Sequence, residues 1–503
     1  LGRRTLFAGL GALAVTAGCS VDTGGTTSPG GTASAGAAKF EFNTAGVTLP
    51  SGNVSFRWID SGDLKAKILE PVIKSFGEQH PNVAVTYDGA GWDQVNQVVP
   101  LGIRNNSAPD VFALPQNVPA QTAVAQGWVQ PLDDLIPDFA NWRKAFPDTA
   151  LIPGVHVFEG KTYTFPLNST RRLDKMLITN NELCKKAEVD PSAIKTWDDL
   201  RAAAKKATAA GKPGLLITGD HLSVVAMYLA NTAGWHGNAE GMDMRTGTYV
   251  FSSPEFLSAI ELLKALVDDG SVIPGYLTLK DKDGRAQFPA GIAAMTFNGP
   301  WDIRAWKAQT ANFDFGLHPV PSPSGGSYVI PFREVGANLA WVYAKTPVKE
   351  VAGVIMGYLG SVAGQSKMVE LTGGTLMSII PEANSKAEAS LLDPHAKTAA
   401  DLARTYMRAC PQLEIRTSEA GKVRLELKAT EPDIKTLMQG LFSGQVSDAK
   451  AALIDLDARL NQAMDAAFDA AKNKGAQVSR DLLAFPNWDP AKEYTKADYD
   501  ALG

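Results

Sequence analysis

Apolar and polar residues alternate along the chain with two different periods, which predict strands and helices in turn. Residues 54–59 alternate and are rich in β-branched and aromatic side chains, which is typical of a strand. Residues 64–76 carry apolar side chains three and four positions apart, which predicts a helix. A second strand at 83–87, a polar helix and a short buried strand at 108–114 follow. This order predicts a parallel sheet covered by helices.

The same alternation recurs further along the chain. We predict strands at residues 215–218, 293–297 and 337–343, and helices at residues 254–267, 348–359 and 447–472. The helix at 254 begins after Ser253, a favourable cap, with Pro254 at its first position, and it ends before Gly270. The fold class is therefore α/β. Because 503 residues exceed what one core usually holds, we expect more than one domain. The role of residues 485–503 is left unassigned.

The first nineteen residues predict an export signal. Arg3 and Arg4 precede a short apolar run, and small residues precede Cys19. A run of about a dozen residues is too short to span a bilayer of roughly 30 Å, and the arginine pair also fits a twin-arginine signal. The residues before Cys19 resemble the lipobox of bacterial lipoproteins, which implies a lipidated cysteine. We therefore predict a signal peptide at 1–18 and a lipidated cysteine with a flexible Gly/Ser/Thr/Ala-rich tether at 19–40.

Composition excludes several classes of protein. The net charge is −5, and removal of the signal would remove two arginines and no acid, so no basic surface suits a general nucleic-acid binder. The six histidines lack the spacing of zinc ligands, and residues 281–284 read as a turn rather than a calcium loop. We predict no cofactor and no metal. Cys184 and Cys410 could form a disulfide, but two separate buried thiols are the better expectation.

Four segments, taken in their order along the chain, carry a family resemblance. They are 108–111 with 127–133; 163–166 with 180–183 and 196–200; 288–301; and 336–359 with 373–374. Together these segments resemble the family 1 extracellular solute-binding proteins of ABC transporters, the maltose-binding-protein type. The resemblance covers roughly residues 50–470, and the C-terminal part is longer than in the smallest members.

The resemblance implies a two-lobed periplasmic-binding-protein type II fold with a discontinuous chain. Residues 41–167 and 312–365 would form the first lobe, and residues 168–311 and 366–503 the second. A monomeric, lipid-anchored receptor outside the cell membrane would trap a carbohydrate, most simply an oligosaccharide, between the lobes and pass it to the permease of an ABC importer.

Open α/β sheets place ligands at the carboxyl ends of their strands, which selects the first candidates. Asp60, Ser61 and Asp63 follow the first strand, where they could accept hydrogen bonds from sugar hydroxyls or cap the next helix. Gln116 and Asn117 follow the third strand, where they could contact a ligand or lie in an exposed loop.

Three tryptophans are candidates for an aromatic contact with a sugar ring. Trp301 follows Asn298 in a turn after a strand, and in the resembling family a tryptophan in this motif stacks on a sugar while amides bind hydroxyls. Packing in the core or at a helix start is the alternative. Trp235 and Trp92 are weaker candidates, Trp92 because it lies in a Gly-rich loop with no obvious core to join.

Charged pairs supply the last candidates. Arg171 and Arg172 could bind an acidic ligand through a bidentate guanidinium, or form ion pairs at the surface or hinge. Glu334, which follows Arg333, could likewise either contact a ligand or form an ion pair at the surface or hinge. Asp220 and His221 follow a strand, where a helix cap is favoured.

Two rival functions remain open at this stage. A secreted glycoside hydrolase would need two carboxylates roughly 5–10 Å apart, and the sequence does not reveal such a pair. A binding protein for another solute, such as a peptide or polyamine, would have a cleft of different charge.

Overall fold

The first of two four-stranded sheets is formed near the start of the region that the structure describes. The computed structural model describes residues 40–116, 118–310 and 312–502. The elements up to the first crossing between the sheets are β1 (Val54–Asp60), α1 (Ala66–Gln79), β2 (Val83–Gly89), α2 (Trp92–Arg104), β3 (Val111–Phe112), α3 (Ala120–Ala125), α4 (Phe139–Arg143), β4 (Val157–Phe158) and β5 (Lys161–Thr162).

The second sheet belongs to the next stretch of chain. Its elements are β6 (Met176–Asn180), α5 (Asn181–Lys186), α6 (Trp197–Ala209), β7 (Leu215–Leu216), α7 (Leu222–Thr232), β8 (Met242–Asp243), β9 (Thr248–Tyr249), α8 (Pro254–Asp268), α9 (Asp281–Gln287), β10 (Met295–Asn298), α10 (Ile303–Gln309), β11 (Phe315–His318) and β12 (Ile330–Phe332).

The chain then returns to the first sheet and leaves it again. The returning elements are β13 (Trp341–Val342), α11 (Lys349–Leu359), α12 (Val362–Leu371) and α13 (Pro381–Lys386). The last elements are α14 (Pro394–Tyr406), β14 (Met407–Ala409), α15 (Leu413–Arg416), α16 (Ala420–Glu426), α17 (Ile434–Ser443), α18 (Ala449–Asn473) and α19 (Lys496–Asp500).

Both sheets bring several strand ends to one edge. The first has the order β13-β3-β1-β2, in which β1 is parallel to both β2 and β3 and the late strand β13 is antiparallel to β3. The second has the order β11-β6-β10-β7, with β10 parallel to β7 and antiparallel to β6. The α/β fold class and the parallel arrangement of the first three strands are confirmed. The carboxyl ends of β7 and β10 therefore meet at the same edge as the amino end of β6.

Buried side chains define two lobes and revise the predicted boundaries. The first lobe packs residues 40–167 with residues 342–383, and the second packs most of the chain between 173 and 332 with residues after 396. Residues 315–332 thus pack with the second lobe rather than the first, and residues 376–383 with the first rather than the second. Phe40, placed in the predicted tether, is 4% exposed and packs in the first core.

Two of the crossings between lobes run side by side as a hinge. Asn168 and Ala337 form an antiparallel bridge, in which the Ala337 amide donates to the Asn168 carbonyl at 2.8 Å. The Asn338 side chain donates to that of Asn168 at 2.6 Å. A third crossing follows α13. We name residues 167–172 and 333–338 the hinge segments.

The long C-terminal stretch belongs to the core of the second lobe. The amphipathic helix α18 buries Leu453, Leu456 and Phe468 there, and Phe485 and Trp488 are also buried. The unassigned tail is therefore a structural part of this lobe. Cys184 and Cys410 are separate, buried, unpaired thiols, as the sequence favoured. None of the helices in the described part of the chain combines the length and apolarity needed to cross a membrane.

Local sequence explains the helix ends. The Ser253 side chain accepts the Phe256 amide at the start of α8, as its position before Pro254 predicts. Residues 281–284, expected to form a turn, instead begin helix α9. Asp281 and Arg285 are then four residues apart on one helix face, where they form an ion pair.

Candidate functional site

Trp301 lies at the carboxyl end of an inner strand of the second sheet. Strand β10 ends at Asn298, and the chain passes through Gly299 into a single 3₁₀ turn, Pro300–Asp302. The Trp301 side chain is partly exposed. A Cβ atom on Gly299 would overlap the Trp301 ring. Glycine at 299 therefore lets the indole lie directly against the backbone of the turn.

Three cationic side chains surround this indole. The charged groups of Arg172, Lys175 and Arg285 lie 5.6, 5.8 and 6.0 Å from the centre of the ring, within the range of cation–π attraction. Arg172 and Lys175 precede β6, and Arg285 lies on α9. Strand order thus brings together groups that are more than 100 residues apart.

A continuous set of polar contacts runs beneath the tryptophan. Lys175 Nζ lies 2.8 Å from His221 Nδ1, which lies 3.1 Å from Asp281 Oδ1. The Asn298 amide donates to the same Asp281 oxygen at 3.0 Å, and Arg285 Nε donates to Asp281 Oδ2 at 2.6 Å. These contacts fix the side chains around the ring before any ligand arrives.

Burial shifts the pKa values of this network in opposite directions. Burial lowers the pKa of the Lys175 ammonium to about 8, and burial raises the pKa of the Asp302 carboxyl to about 6 although Arg285 opposes it. For Asp281, burial acts upward, but the hydrogen bond and charge of His221 and the nearby cations lower the pKa to about 2. Asp302 Oδ2 is buried with no hydrogen-bond partner in the described chain.

The side chains after β1 that were predicted to contact a ligand form hydrogen bonds within the protein. Asp60 is 3% exposed, and its carboxylate accepts hydrogen bonds from the Trp58 indole at 3.1 Å, the Gly62 amide at 2.6 Å and the Tyr87 hydroxyl at 3.0 Å. Burial raises its pKa, against the charge of Lys65. Ser61 accepts from Lys65 Nζ at 2.7 Å. These bonds are not a helix cap, since Lys65 holds the cap position of α1 without a side-chain bond, and a ligand contact for Asp60 and Ser61 stays a prediction.

The remaining first-lobe candidates lie closer to solvent. Gln116 is exposed, and its backbone N–H donates to Asn96 Oδ1 on α2 at 2.9 Å. Trp92 begins α2, is 37% exposed and has Lys65 Nζ 5.5 Å from its ring. Asp63 begins a 3₁₀ turn, and its side chain, like the whole of Asn117, lies outside the described residues.

Two predicted site residues instead support the hinge segments. Arg171 NH1 pairs with Glu493 at 2.8 Å, and its guanidinium lies 4.9 Å from the Phe332 ring. Glu334 accepts from the Ser169 hydroxyl at 2.5 Å and from the amide and hydroxyl of Thr170 at 2.8 Å each. Both side chains are thus engaged in structural contacts.

Trp235 is a core residue, so the sugar-contact expectation for it is not met. Its side chain is 2% exposed and packs against Phe251 and Phe256 at ring distances of 5.8 and 5.2 Å. Its indole donates to the Val250 carbonyl at 3.0 Å. No face is left for a ligand.

Sequence reasoning missed several members of the site. His221 is the cap position of α7 as expected, but its side chain makes no cap bond and joins Lys175 and Asp281 instead. The four-residue spacing of Asp281 and Arg285 is typical of a helix, but the prediction of a turn at 281–284 did not use it. Nothing in the sequence near Lys175 indicates the site, because only the pairing of β6 with β10 brings this residue to the tryptophan. Among the described residues, no three His, Cys, Asp or Glu side chains gather as metal ligands could.

Comparisons with known proteins agree with this architecture. The family model for bacterial extracellular solute-binding proteins matches residues 60–366, which is more than half of the chain. A protein of Brucella abortus (strain 2308) named as a binding protein is 28% identical over 265 residues, which cover 52% of this chain and 61% of that protein. The chain thus spans about three fifths of the length of the curated relatives it matches first.

Solved structures share the two-lobed fold. The GacH receptor of Streptomyces glaucescens GLA.O, solved unliganded and with acarbose, has a TM-score of 0.59 at 22% identity, covering 84% of this chain and 99% of that one. A solute-binding protein of Thermotoga lettingae, solved with α-D-tagatose, has a TM-score of 0.59 at 21% identity, covering 82% and 100%.

Proposed function

The chain belongs to the bacterial extracellular solute-binding proteins, and from that premise we propose that it captures a carbohydrate between its lobes and delivers it to an ABC importer. One observation carries the carbohydrate assignment: Trp301 is partly exposed at a strand end, held against Gly299 and surrounded by fixed polar groups. A flat aromatic face suits the C–H face of a pyranose, and the surrounding amides, carboxylates and cations suit its hydroxyls.

Capture would use the hinge segments. The two hinge segments are linked by the Asn168–Ala337 bridge and by the hydrogen bond from the Thr170 amide to Glu334. They can therefore bend together while each lobe moves as a rigid body. A ligand that contacts both lobes only in the closed state shifts the balance toward closure by its difference in affinity for the two states. Two solved relatives were determined in complex with acarbose and with α-D-tagatose, which supports the same class of ligand for this chain.

A thermal-shift screen of the full chain against mono-, oligo- and uronic saccharides tests the proposal. A ligand at 100 times its dissociation constant adds about 2.7 kcal/mol to the free energy of unfolding. We expect at least one saccharide to raise the melting temperature and to be recovered unchanged. Cleaved saccharide would favour the hydrolase, and a response to peptides or polyamines alone would contradict the carbohydrate assignment.

Substitution of Trp301 by alanine should weaken binding of the saccharide found in that screen by about 1–3 kcal/mol, because the aromatic contact is lost. Isothermal titration measures the change, and Trp301→Phe, which keeps a flat ring, is the matched control and should retain part of the affinity. Unchanged affinity in a folded Trp301→Ala protein would remove this residue from the site.

We further propose that Cys19 anchors the protein to the outer face of the cell membrane through a lipid. Support comes from the sequence: the arginines, the apolar run and the small residues before Cys19, followed by the Gly/Ser-rich tether. Cells grown with a labelled fatty acid should yield labelled protein. Cys19→Ser should abolish the label and release the protein into the medium, whereas label in that variant would contradict the anchor.

A further inference from the structure

A small cavity with both polar and apolar lining lies where the first hinge segment meets both lobes. Its lining includes Asn168, Arg171 and Arg172 from the hinge, Pro300 beside Trp301, and Thr375. The lining side chains include two guanidinium groups and no carboxylate. The cavity adjoins the tryptophan that carries the proposed function, so a ligand on the indole would extend toward Arg172, whose guanidinium lies 5.6 Å from the ring.

The two arginines are held in different ways. Arg171 is neutralised by Glu493, at 2.8 Å, and packs on Phe332. Arg172 is also paired with an acid, from Nε to Asp174 Oδ1 at 3.2 Å, but its guanidinium lies 5.6 Å from the centre of the Trp301 ring. A guanidinium carries five N–H donors, and no bond from the two terminal nitrogens of Arg172 is found within the described chain. Arg172 therefore presents its two terminal nitrogens beside Trp301, whereas Arg171 lies over Phe332.

Thr375 supplies a second, independent observation. Its hydroxyl oxygen is buried and has no hydrogen-bond partner in the part of the chain that the structure describes. A buried hydroxyl without a partner costs free energy unless something fills the place. Because Thr375 lines the same cavity as Arg172, a ligand oxygen that accepts from both would satisfy it.

We propose that the carbohydrate carries an anionic group, which Arg172 and Thr375 bind while Trp301 contacts the sugar ring. A carboxylate or a phosphate presents the two oxygens that a guanidinium binds in bidentate fashion. This inference rests on the proposed function and adds a class of substrate to it: a uronic-acid saccharide or a sugar phosphate. Lys175, buried beside the same ring, adds positive charge on that side.

Titration calorimetry with matched probes tests the inference. The probes are galacturonic-acid and glucuronic-acid oligosaccharides, neutral hexose oligosaccharides of the same length and linkage, and hexose 6-phosphates. The full chain should bind one acidic class at least tenfold more tightly than its neutral counterpart, and the class that binds distinguishes a carboxylate from a phosphate.

Arg172→Gln and Arg171→Gln form a matched pair. Arg172→Gln should bring the ratio of acidic to neutral affinity close to one, whereas Arg171→Gln should preserve that ratio because Arg171 lies over Phe332 and not over Trp301. The ratio is insensitive to a general loss of affinity, and melting curves of both variants show that they fold.

The possible failures are distinct. Equal affinity for acidic and neutral sugars in the unmodified chain overturns this inference and leaves the proposed function standing. Loss of the ratio in Arg171→Gln but not in Arg172→Gln overturns the role of Arg172. Failure of every saccharide to bind overturns the proposed function and this inference together.

Discussion

Replacement of Trp235 by alanine is expected to lower the free energy of unfolding by about 3–5 kcal/mol. The indole is 2% exposed between Phe251 and Phe256, and its removal leaves a cavity and an unsatisfied Val250 carbonyl. Chemical denaturation followed by circular dichroism measures the change. Saccharide affinity measured well below the unfolding transition should remain that of the unmodified chain, because Trp235 does not face the site.

Trp301→Ala is the matched control for this experiment. The Trp301 side chain is partly exposed, so its removal should alter stability far less than removal of Trp235 while weakening the ligand. Two tryptophans, both selected from the sequence as candidates, should therefore separate into one that changes stability and one that changes affinity. A Trp235→Ala protein of normal stability and weakened binding would reverse our assignment of the two residues.

Glu414→Gln is expected to produce the second large effect, a loss of about 3 kcal/mol of stability. Glu414 is 1% exposed and pairs with Arg333 at 2.8 Å and with Arg424. The neutral amide no longer balances the positive charge of the largely buried Arg333 guanidinium. The loss of stability should appear as a lower denaturant midpoint. Glu240→Gln is the control: Glu240 also contacts both arginines but is 42% exposed, so we expect a change below about 1 kcal/mol. Equal effects of the two variants would contradict this account.

The ion pairs of Glu414 with Arg333 and Arg424 should also make the free energy of unfolding depend on pH. Burial alone raises the pKa of Glu414, but Arg333 and Arg424 lower it below the ordinary 4.5. The stabilising contribution is therefore complete above about pH 4.5 and is lost as the pH falls through the lower pKa of the folded state. In Glu414→Gln, this part of the acid dependence should disappear from denaturation curves measured between pH 3 and 6.

The spacing of apolar residues predicted the helices well where the same spacing continues over several helical turns. The helices at 66–79, 254–268 and 449–473 lie within a few residues of their predicted bounds. The strands at 111–112 and 341–342 are much shorter than the apolar runs that contain them, because only the residues that pair with a neighbour form a strand. Apolar character alone does not identify those residues.

The site was harder to predict than the fold. Trp301 was selected as a candidate because a turn follows a strand there, but the cations that surround it come from two separate parts of the chain. Asp60 and Glu334 illustrate another difficulty. An acid at a strand end or in a hinge looks the same in sequence whether it contacts a ligand or only accepts hydrogen bonds from its own backbone and neighbours, and both of these side chains accept such bonds.

The return of the chain to the first lobe has a consequence for the order in which the protein can fold. Strand β13 pairs with β3, although about 230 residues separate them, and α11 and α12, which complete the first core, follow later still in the chain. Contacts of such long separation form slowly, since a large loop must close first. Until residue 341 is available, one edge of β3 stays unpaired and open to association with other chains. Chains cut before that position should therefore aggregate, although they contain the first three strands in full.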